Sequence, residues 1–155
     1  MNILFYTFVT LAAVAGMEFV AWFAHKYVMH GLLWTLHLDH HDKSNAHPIF
    51  ERNDAFFLIF ATPGITCIIL GSFFGVPFCL PIGLGITAYG FCYFLVHDVF
   101  IHQRLKWLRK SNNIYFRAIR RAHKVHHKHL GKEDGECFGM LIVPWKYFKA
   151  ELNKG

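Results

Sequence analysis

Ten of the twelve histidines in this chain fall into four clusters, and the clusters write one pattern twice. The first half carries His25-x4-His30 and then His37-x2-His40-His41; the second carries His97-x4-His102 and then His123-x2-His126-His127. Neutral imidazole is the commonest protein ligand for metals and suits Zn, Cu, Fe and Ni. Five imidazoles per half are what two ions need, so the pattern points to a two-metal centre with all ten as ligands. Accident explains a single pair at such a spacing, but not four clusters in one order written twice. His47 and His129 stand outside the pattern and read as ordinary polar residues.

Helical geometry accounts for part of the spacing. In each of the triads the first histidine precedes the others by three and four positions, which aligns three imidazoles on one helix face able to hold one ion or bridge two. Residues five apart on an α-helix differ by about 140° of rotation. The x4 pairs therefore either serve two ions or mark a helix that is ending, and Gly31 directly after His30 favours an ending there. The missing residue types narrow the metal. There is no Cys-x-x-Cys and no Glu-x-x-His, so an iron–sulfur cluster and a carboxylate-bridged di-iron bundle site both fit poorly. Zinc is satisfied by four ligands and has no redox chemistry, whereas an ion with five imidazoles keeps an open position suited to dioxygen. Two iron ions, with O2 as co-substrate, are the working assignment. Zinc is the metal a purified sample can acquire, because affinity does not single out iron among divalent ions.

The elements that must position these residues are apolar. The chain has 155 residues, 54% of them hydrophobic and 17% aromatic. Ala55 to Val96 contains no charged side chain, twice the roughly 20 residues that one membrane-spanning helix requires, so the run must fold back once. Gly71, Gly75 and Pro77 supply the break, and Pro81, Gly83, Gly85 and Gly90 predict a second helix that is kinked or closely packed. Residues 3–24 carry only Glu18 as a charge and lack a basic n-region, which predicts a retained anchor rather than a cleaved signal peptide. The expected fold is all-α: a multi-span membrane helix bundle with a cytoplasmic helical cap carrying a histidine-ligated dinuclear metal site. It forms one integral membrane domain over residues 1–155, with spans at about 3–24, 55–72 and 76–96 and cytoplasmic segments 25–54 and 97–155.

Thirteen of the sixteen Lys and Arg follow His102, and the other three, Lys26, Lys43 and Arg52, lie between the first span and the hairpin. Positive-inside bias places both basic regions in the cytoplasm, and a hairpin crossing twice returns both histidine sets to the same face. Orientation and attraction to anionic headgroups account for the net charge of +6, and no nucleic-acid motif competes. Cys67, Cys79, Cys92 and Cys137 show no disulfide-like spacing and read as filler.

Three carboxylates in apolar surroundings are candidates for orienting the imidazoles by accepting their second N–H. Asp98 adjoins His97, and Asp39 lies between His37 and His40; the simpler alternative for both is a solvated interfacial carboxylate. Glu18 shares a helix face with Trp22 and His25, and its alternative is a pairing role within the bundle. Asn53-Asp54 reads as a cap for the helix that follows. Aromatic residues such as Phe19, Trp22, Phe57 and Phe91 face lipid or pack, or line a tunnel for a long apolar substrate. Trp107, Tyr115, Trp145 and Tyr147, set among Lys and Arg, read as interfacial anchors.

The cluster order, with Glu18 upstream, Asn53-Asp54, Tyr89-Gly90, the run His97-Asp98-Val99-Phe100-Ile101-His102-Gln103-Arg104, and Phe116-Arg117 leading to Ala122-His123, resembles the bacterial β-carotene hydroxylases. That family lies within the fatty acid hydroxylase superfamily of membrane di-iron enzymes, and the match spans roughly residues 18–139. The resemblance implies O2-dependent hydroxylation of each β-ionone ring at C3, converting β-carotene to β-cryptoxanthin and then zeaxanthin. It implies a lipid-soluble carotenoid substrate, a ferredoxin-type electron donor and contact with membrane lipids. With no transit peptide read at the N-terminus, a bacterial plasma membrane is the expected location. Two other readings stay open: a hydroxylase or desaturase of an acyl, sphingoid or sterol lipid, and a non-catalytic membrane metal-binding protein. The uncharged hairpin gives the last of these no polar pathway at mid-membrane.

Overall fold

The computed structural model describes residues 2–42, 44, 50–105, 107 and 111–154; His47 lies outside them. Every regular element among the described residues is helical. Helix α1, Ile3–Phe23, opens on Asn2, whose side-chain oxygen accepts the Leu4 N–H at 3.0 Å. It continues as a π-helical stretch, Ala24–Leu32, and then α2, Trp34–His41, follows. A short 3-10 turn, Arg52–Asp54, leads into α3, Ala55–Phe73, and is closed by a capping box between Glu51 and Asp54. Helix α4, Cys79–Phe94, also runs on in π-helical form, over Leu95–Ile101. Three continuous helices, Ile3–Leu32, Arg52–Phe73 and Cys79–Ile101, are long and apolar enough to cross a membrane. The first of them passes well beyond the expected end at residue 24.

The hairpin reverses at residues 74–78, where Gly75 and Phe78 take φ values of 63° and 65°. Gly71 lies inside α3 rather than in the break, and its missing Cβ lets the backbone of Leu80 approach. On α4, a Cβ at Gly83 would come within 2.8 Å of the Gly64 carbonyl on α3, and one at Gly85 within 2.6 Å of Ala13 and the Thr10 carbonyl on α1. Small residues thus let α4 seat against both neighbours, as membrane helices that gain little from burying apolar surface require.

The cap comprises α5, Ile114–His126, and α6, Trp145–Leu152. Asn113 caps α5 by accepting from Tyr115 and Phe116 N–H groups. The buried face of α5 carries Ala118, Ile119 and Ala122 together with His123 and His126, so the packing stripe and the imidazoles share one side of the helix. That stripe packs with Val96, Met140, Val143 and Tyr147. Because Val96 belongs to the third long helix, cap and bundle share a core. On the flank of α5, Arg117 and Arg121 pair with Glu151 of α6 at 2.8 and 3.1 Å. Trp107 and Trp145 are exposed, but Tyr147 is not an interfacial anchor: it is buried, and its hydroxyl donates to Glu136 at 3.0 Å.

Candidate metal centre

The two x4 pairs owe their placement to the π-helical stretches. When a backbone N–H bonds five residues back instead of four, residues five apart stack on one face. The His102 N–H donates to the His97 carbonyl at 2.9 Å, and the Leu33 N–H to the Val28 carbonyl at 2.7 Å. His25 and His30 accordingly converge, with ring centroids 5.1 Å apart, as do His97 and His102 at 4.5 Å. Each pair falls within a single group of ligand atoms, so the pairs are not divided between two centres. Both stretches do end close to the second histidine of the pair, the first at Leu32, just after His30, and the second at Ile101, just before His102.

The triads are the residues that divide. One group brings together His25, His30, His37, His41 and His126, and the other His40, His97, His102 and His123, with ligand atoms within 4.8 Å of one another in each. His127 joins the second group through its Nε2, 2.8 Å from that of His123, while its ring stacks on His41 with centroids 4.5 Å apart. The chain halves therefore exchange one imidazole: His40 of the first half enters the second group, and His126 of the second half enters the first.

Protonation follows from what the other ring nitrogen touches. Nδ1 of His25, His30, His41 and His126 lies 2.9–3.2 Å from the carbonyls of Phe138, Lys132, His129 and Glu136. His37 Nδ1 lies 2.6 Å from Asn53 Oδ1, His40 Nδ1 2.7 Å from Glu51 Oε2, and His97 Nδ1 3.2 Å from Asp98 Oδ2. Oxygens of these kinds only accept, so each Nδ1 carries the proton and donates it, leaving Nε2 with a bare lone pair. The lone pairs then face one another: Nε2 separations are 3.2 Å for His25 and His37, 3.1 Å for His30 and His126, and 3.1 Å for His40 and His97; the Nε2 atoms of His102 and His123 approach to 2.9 Å. Without a cation between them such contacts repel. Around a six-coordinate ion with metal–nitrogen bonds of about 2.05 Å, adjacent ligands are about 2.9 Å apart and opposite ones about 4.1 Å, so the donor set fits a metal ion in each group.

Burial reinforces the neutral state. It pushes the His37 imidazole down from its ordinary 6.5 to about 2 and His126 to about 3. Burial and the neighbouring histidines likewise lower His127 to about 2, and His40 and His123 well below the ordinary value. Neutral imidazole is the form that ligates. Ile101 and Lys124 border a cleft that reaches His40, His41, His102, His123 and His127.

The fatty acid hydroxylase family model matches residues 10–149, nearly the whole chain. The chain belongs to the fatty acid hydroxylase family. A β-carotene hydroxylase of Pantoea ananas is 41% identical over 136 residues, covering 88% of this chain and 76% of that protein. One from Pseudescherichia vulneris is 37% identical, over 87% of this chain and 75% of its own length. Beta-carotene hydroxylase 2, chloroplastic, of Capsicum annuum is 39% identical, and there the match covers 87% of this chain but 44% of the longer plant protein. No solved structure gives a significant match.

In this fatty acid hydroxylase family member, the groups that steer the imidazoles are only partly those expected. Asp98 does accept from His97. Among the described residues Asp39 has no imidazole partner; it accepts the Arg52 N–H at 2.6 Å, and Arg52 Nε lies 3.7 Å away. Glu18 also has no histidine among its hydrogen-bond partners. Its Oε1 accepts the N–H groups of Met140, Leu141 and Ile142 at 2.9–3.0 Å, and its Oε2 accepts the Tyr89 hydroxyl at 2.7 Å. Instead of steering His25, it clamps the loop that supplies carbonyls to His25 and His126. Sequence reasoning missed Glu51, which has the strongest polar signal of the absent set because it is acidic and opens a membrane-length helix. It read Asn53 as a cap, but its side chain holds His37. The four backbone carbonyls have no side-chain signature. His129 contributes one of them, while its ring belongs to neither group.

Proposed function

We propose that this protein is a β-carotene hydroxylase that converts the C3 position of each β-ionone ring to an alcohol, giving β-cryptoxanthin and then zeaxanthin. The reading is carried by one conjunction: nine imidazoles gathered in two groups with His127 beside the second, in a chain 41% identical over 136 residues to a protein named β-carotene hydroxylase. All ten, His25, His30, His37, His40, His41, His97, His102, His123, His126 and His127, are the proposed ligands of two iron ions. When bound, the ions supply the redox chemistry that splits O2, one oxygen atom entering the product and the other leaving as water.

The chain's own part is to hold, orient and exclude. Nδ1–H bonds to carbonyl, amide and carboxylate oxygens fix the rings of His25, His30, His37, His40, His41, His97 and His126 so that Nε2 points inward. Burial keeps the imidazoles neutral, and the apolar helices let a substrate dissolved in lipid approach from the bilayer. The cleft at Ile101 and Lys124 is the proposed approach from outside the bilayer. Positive-inside bias sets that side as cytoplasmic, in a bacterial plasma membrane, within reach of a ferredoxin-type donor. The whole chain acts as one integral membrane domain.

The test is coexpression with a β-carotene-producing pathway, followed by pigment analysis. Wild type is expected to yield hydroxylated carotenoid, and His25→Ala, His41→Ala, His97→Ala and His127→Ala each to abolish it while the protein still inserts. The family's description favours one second reading, an acyl, sphingoid or sterol lipid as substrate. Unchanged carotenoid with an altered lipid profile selects that reading, and iron near one ion per chain rejects the two-ion centre.

A further inference from the structure

The oxygens behind the two groups of imidazoles differ in charge. In the group of His25, His30, His37, His41 and His126, every Nδ1 meets a neutral oxygen, four of them peptide carbonyls and the fifth the Asn53 amide. In the other group His40 meets the carboxylate of Glu51 and His97 that of Asp98. Those two carboxylates are joined. Glu51 turns Oε2 to His40 and Oε1 to Arg104 Nη2 at 3.2 Å, and Asp98 turns Oδ2 to His97 and Oδ1 to Arg104 Nε at 3.3 Å. Arg104 Nη1 also pairs with Asp54 at 2.8 Å. A ring closes from His40 through Glu51, Arg104 and Asp98 to His97, whose Nε2 returns to that of His40 at 3.1 Å.

A carboxylate that accepts an imidazole N–H draws the proton toward itself and makes the opposite nitrogen a stronger donor; a neutral carbonyl does so less. Around Arg104, three carboxylates, Glu51, Asp54 and Asp98, face one guanidinium beside the second group. We propose that the two half-sites are unequal: the His40/His97 half-site holds its ion tightly because Glu51 and Asp98, fixed by Arg104, back its ligands, and the His25/His37 half-site holds the labile ion. Arg104 is a positioning residue in this arrangement, acting on the ion only through the two carboxylates. The inference rests on the two-ion reading above.

The experiment uses the full-length protein in detergent, loaded anaerobically with iron(II) and challenged with EDTA while iron per chain is followed. Wild type is expected to release one ion in a fast phase and the other in a slow phase. Glu51→Gln and Asp98→Asn are expected to weaken the slow ion about 10–100-fold and leave the fast phase in place. Arg104→Gln shortens the slow phase, and Arg104→Lys partly restores it. Asn53→Asp works in the opposite sense. By placing a carboxylate behind His37 it is expected to slow the fast phase, a gain that misfolding does not imitate. Two ions leaving together in wild type, carboxylate variants that accelerate the fast phase, or an Asn53→Asp protein with unchanged fast release each overturn the inequality. Fewer than two ions in the starting protein overturns the two-ion reading itself, and this inference with it.

Discussion

Replacing Glu18 with alanine tests whether a carboxylate bonded to the loop behind the imidazoles holds the metal centre together. In the native chain its two oxygens accept from three consecutive amides, Met140, Leu141 and Ile142, and from the Tyr89 hydroxyl. Alanine leaves all four donors without that acceptor. Ile142 is exposed enough for water to replace the bond, while Met140 and Tyr89 are buried. Hydrogen bonds to charged groups contribute about 1.5–3 kcal/mol each, and an unsatisfied buried donor costs about 1–3 kcal/mol. Two such buried donors, with partial compensation at the other two, put the loss at roughly 3–5 kcal/mol. The effect is directional as well as large, because the released loop carries the Phe138 and Glu136 carbonyls that orient His25 and His126. Glu18→Ala is therefore expected to lower the thermal midpoint in detergent and to lose iron from the His25 group first. Glu18→Gln keeps an acceptor for the amides, and its stability falls between the two. A Glu18→Ala protein with the wild-type midpoint and full iron content refutes the clamp.

Three further outcomes follow from the same structure. His40→Ala is expected to share its metal-binding defect with His97→Ala rather than with its neighbours His37→Ala and His41→Ala, and His126→Ala to group with His25→Ala; chelator-release profiles that sort by chain half contradict the exchange of imidazoles. In metal-free protein the folded imidazoles of His37 and His126 protonate only near 2 and 3, while the unfolded chain takes up those protons near 6.5. Stability then falls as the pH is lowered through that window, by up to about 1.4 kcal/mol per pH unit per histidine, and a thermal midpoint that holds or rises between pH 7 and 5 rejects the assignment. Gly85→Leu would drive side-chain atoms into Thr10 and Ala13, costing about 1–3 kcal/mol or more and lowering the yield of folded protein extracted from membranes, whereas a variant at Gly90, which faces open space, is expected to behave as wild type.

The parts legible in the sequence are those written in side-chain identity. Uncharged runs mark the long helices because lipid offers backbone polar groups no partner other than the helix itself, and histidine spacing marks which rings can share a face. Backbone events were hidden. Nothing in Ala24–Leu32 or Leu95–Ile101 announces an i→i+5 ladder, since the choice between α and π depends on what the imidazoles gain once they meet. The carbonyls of Lys132, His129, Glu136 and Phe138 are equally mute, as every residue owns one. Proximity in sequence misled for Asp39: it sits between two histidines, yet its carboxylate turns to Arg52, while Glu51, distant in the chain, reaches His40. Tyr147 misled because its aromatic and basic surroundings suit a headgroup layer equally well as a buried hydroxyl bonded to Glu136.

The crossing of His40 and His126 between the groups has a consequence for how the molecule is made. Helix α5 lends His126 to one group and His123 to the other, so neither pocket of imidazoles is complete until synthesis has passed the membrane hairpin and α5. A nascent chain stopped after α4 would present a partial set of ligands on each side and a full set on neither. Loading with metal becomes the last act of assembly, a clasp fastened only after the ribosome has delivered both ends of it.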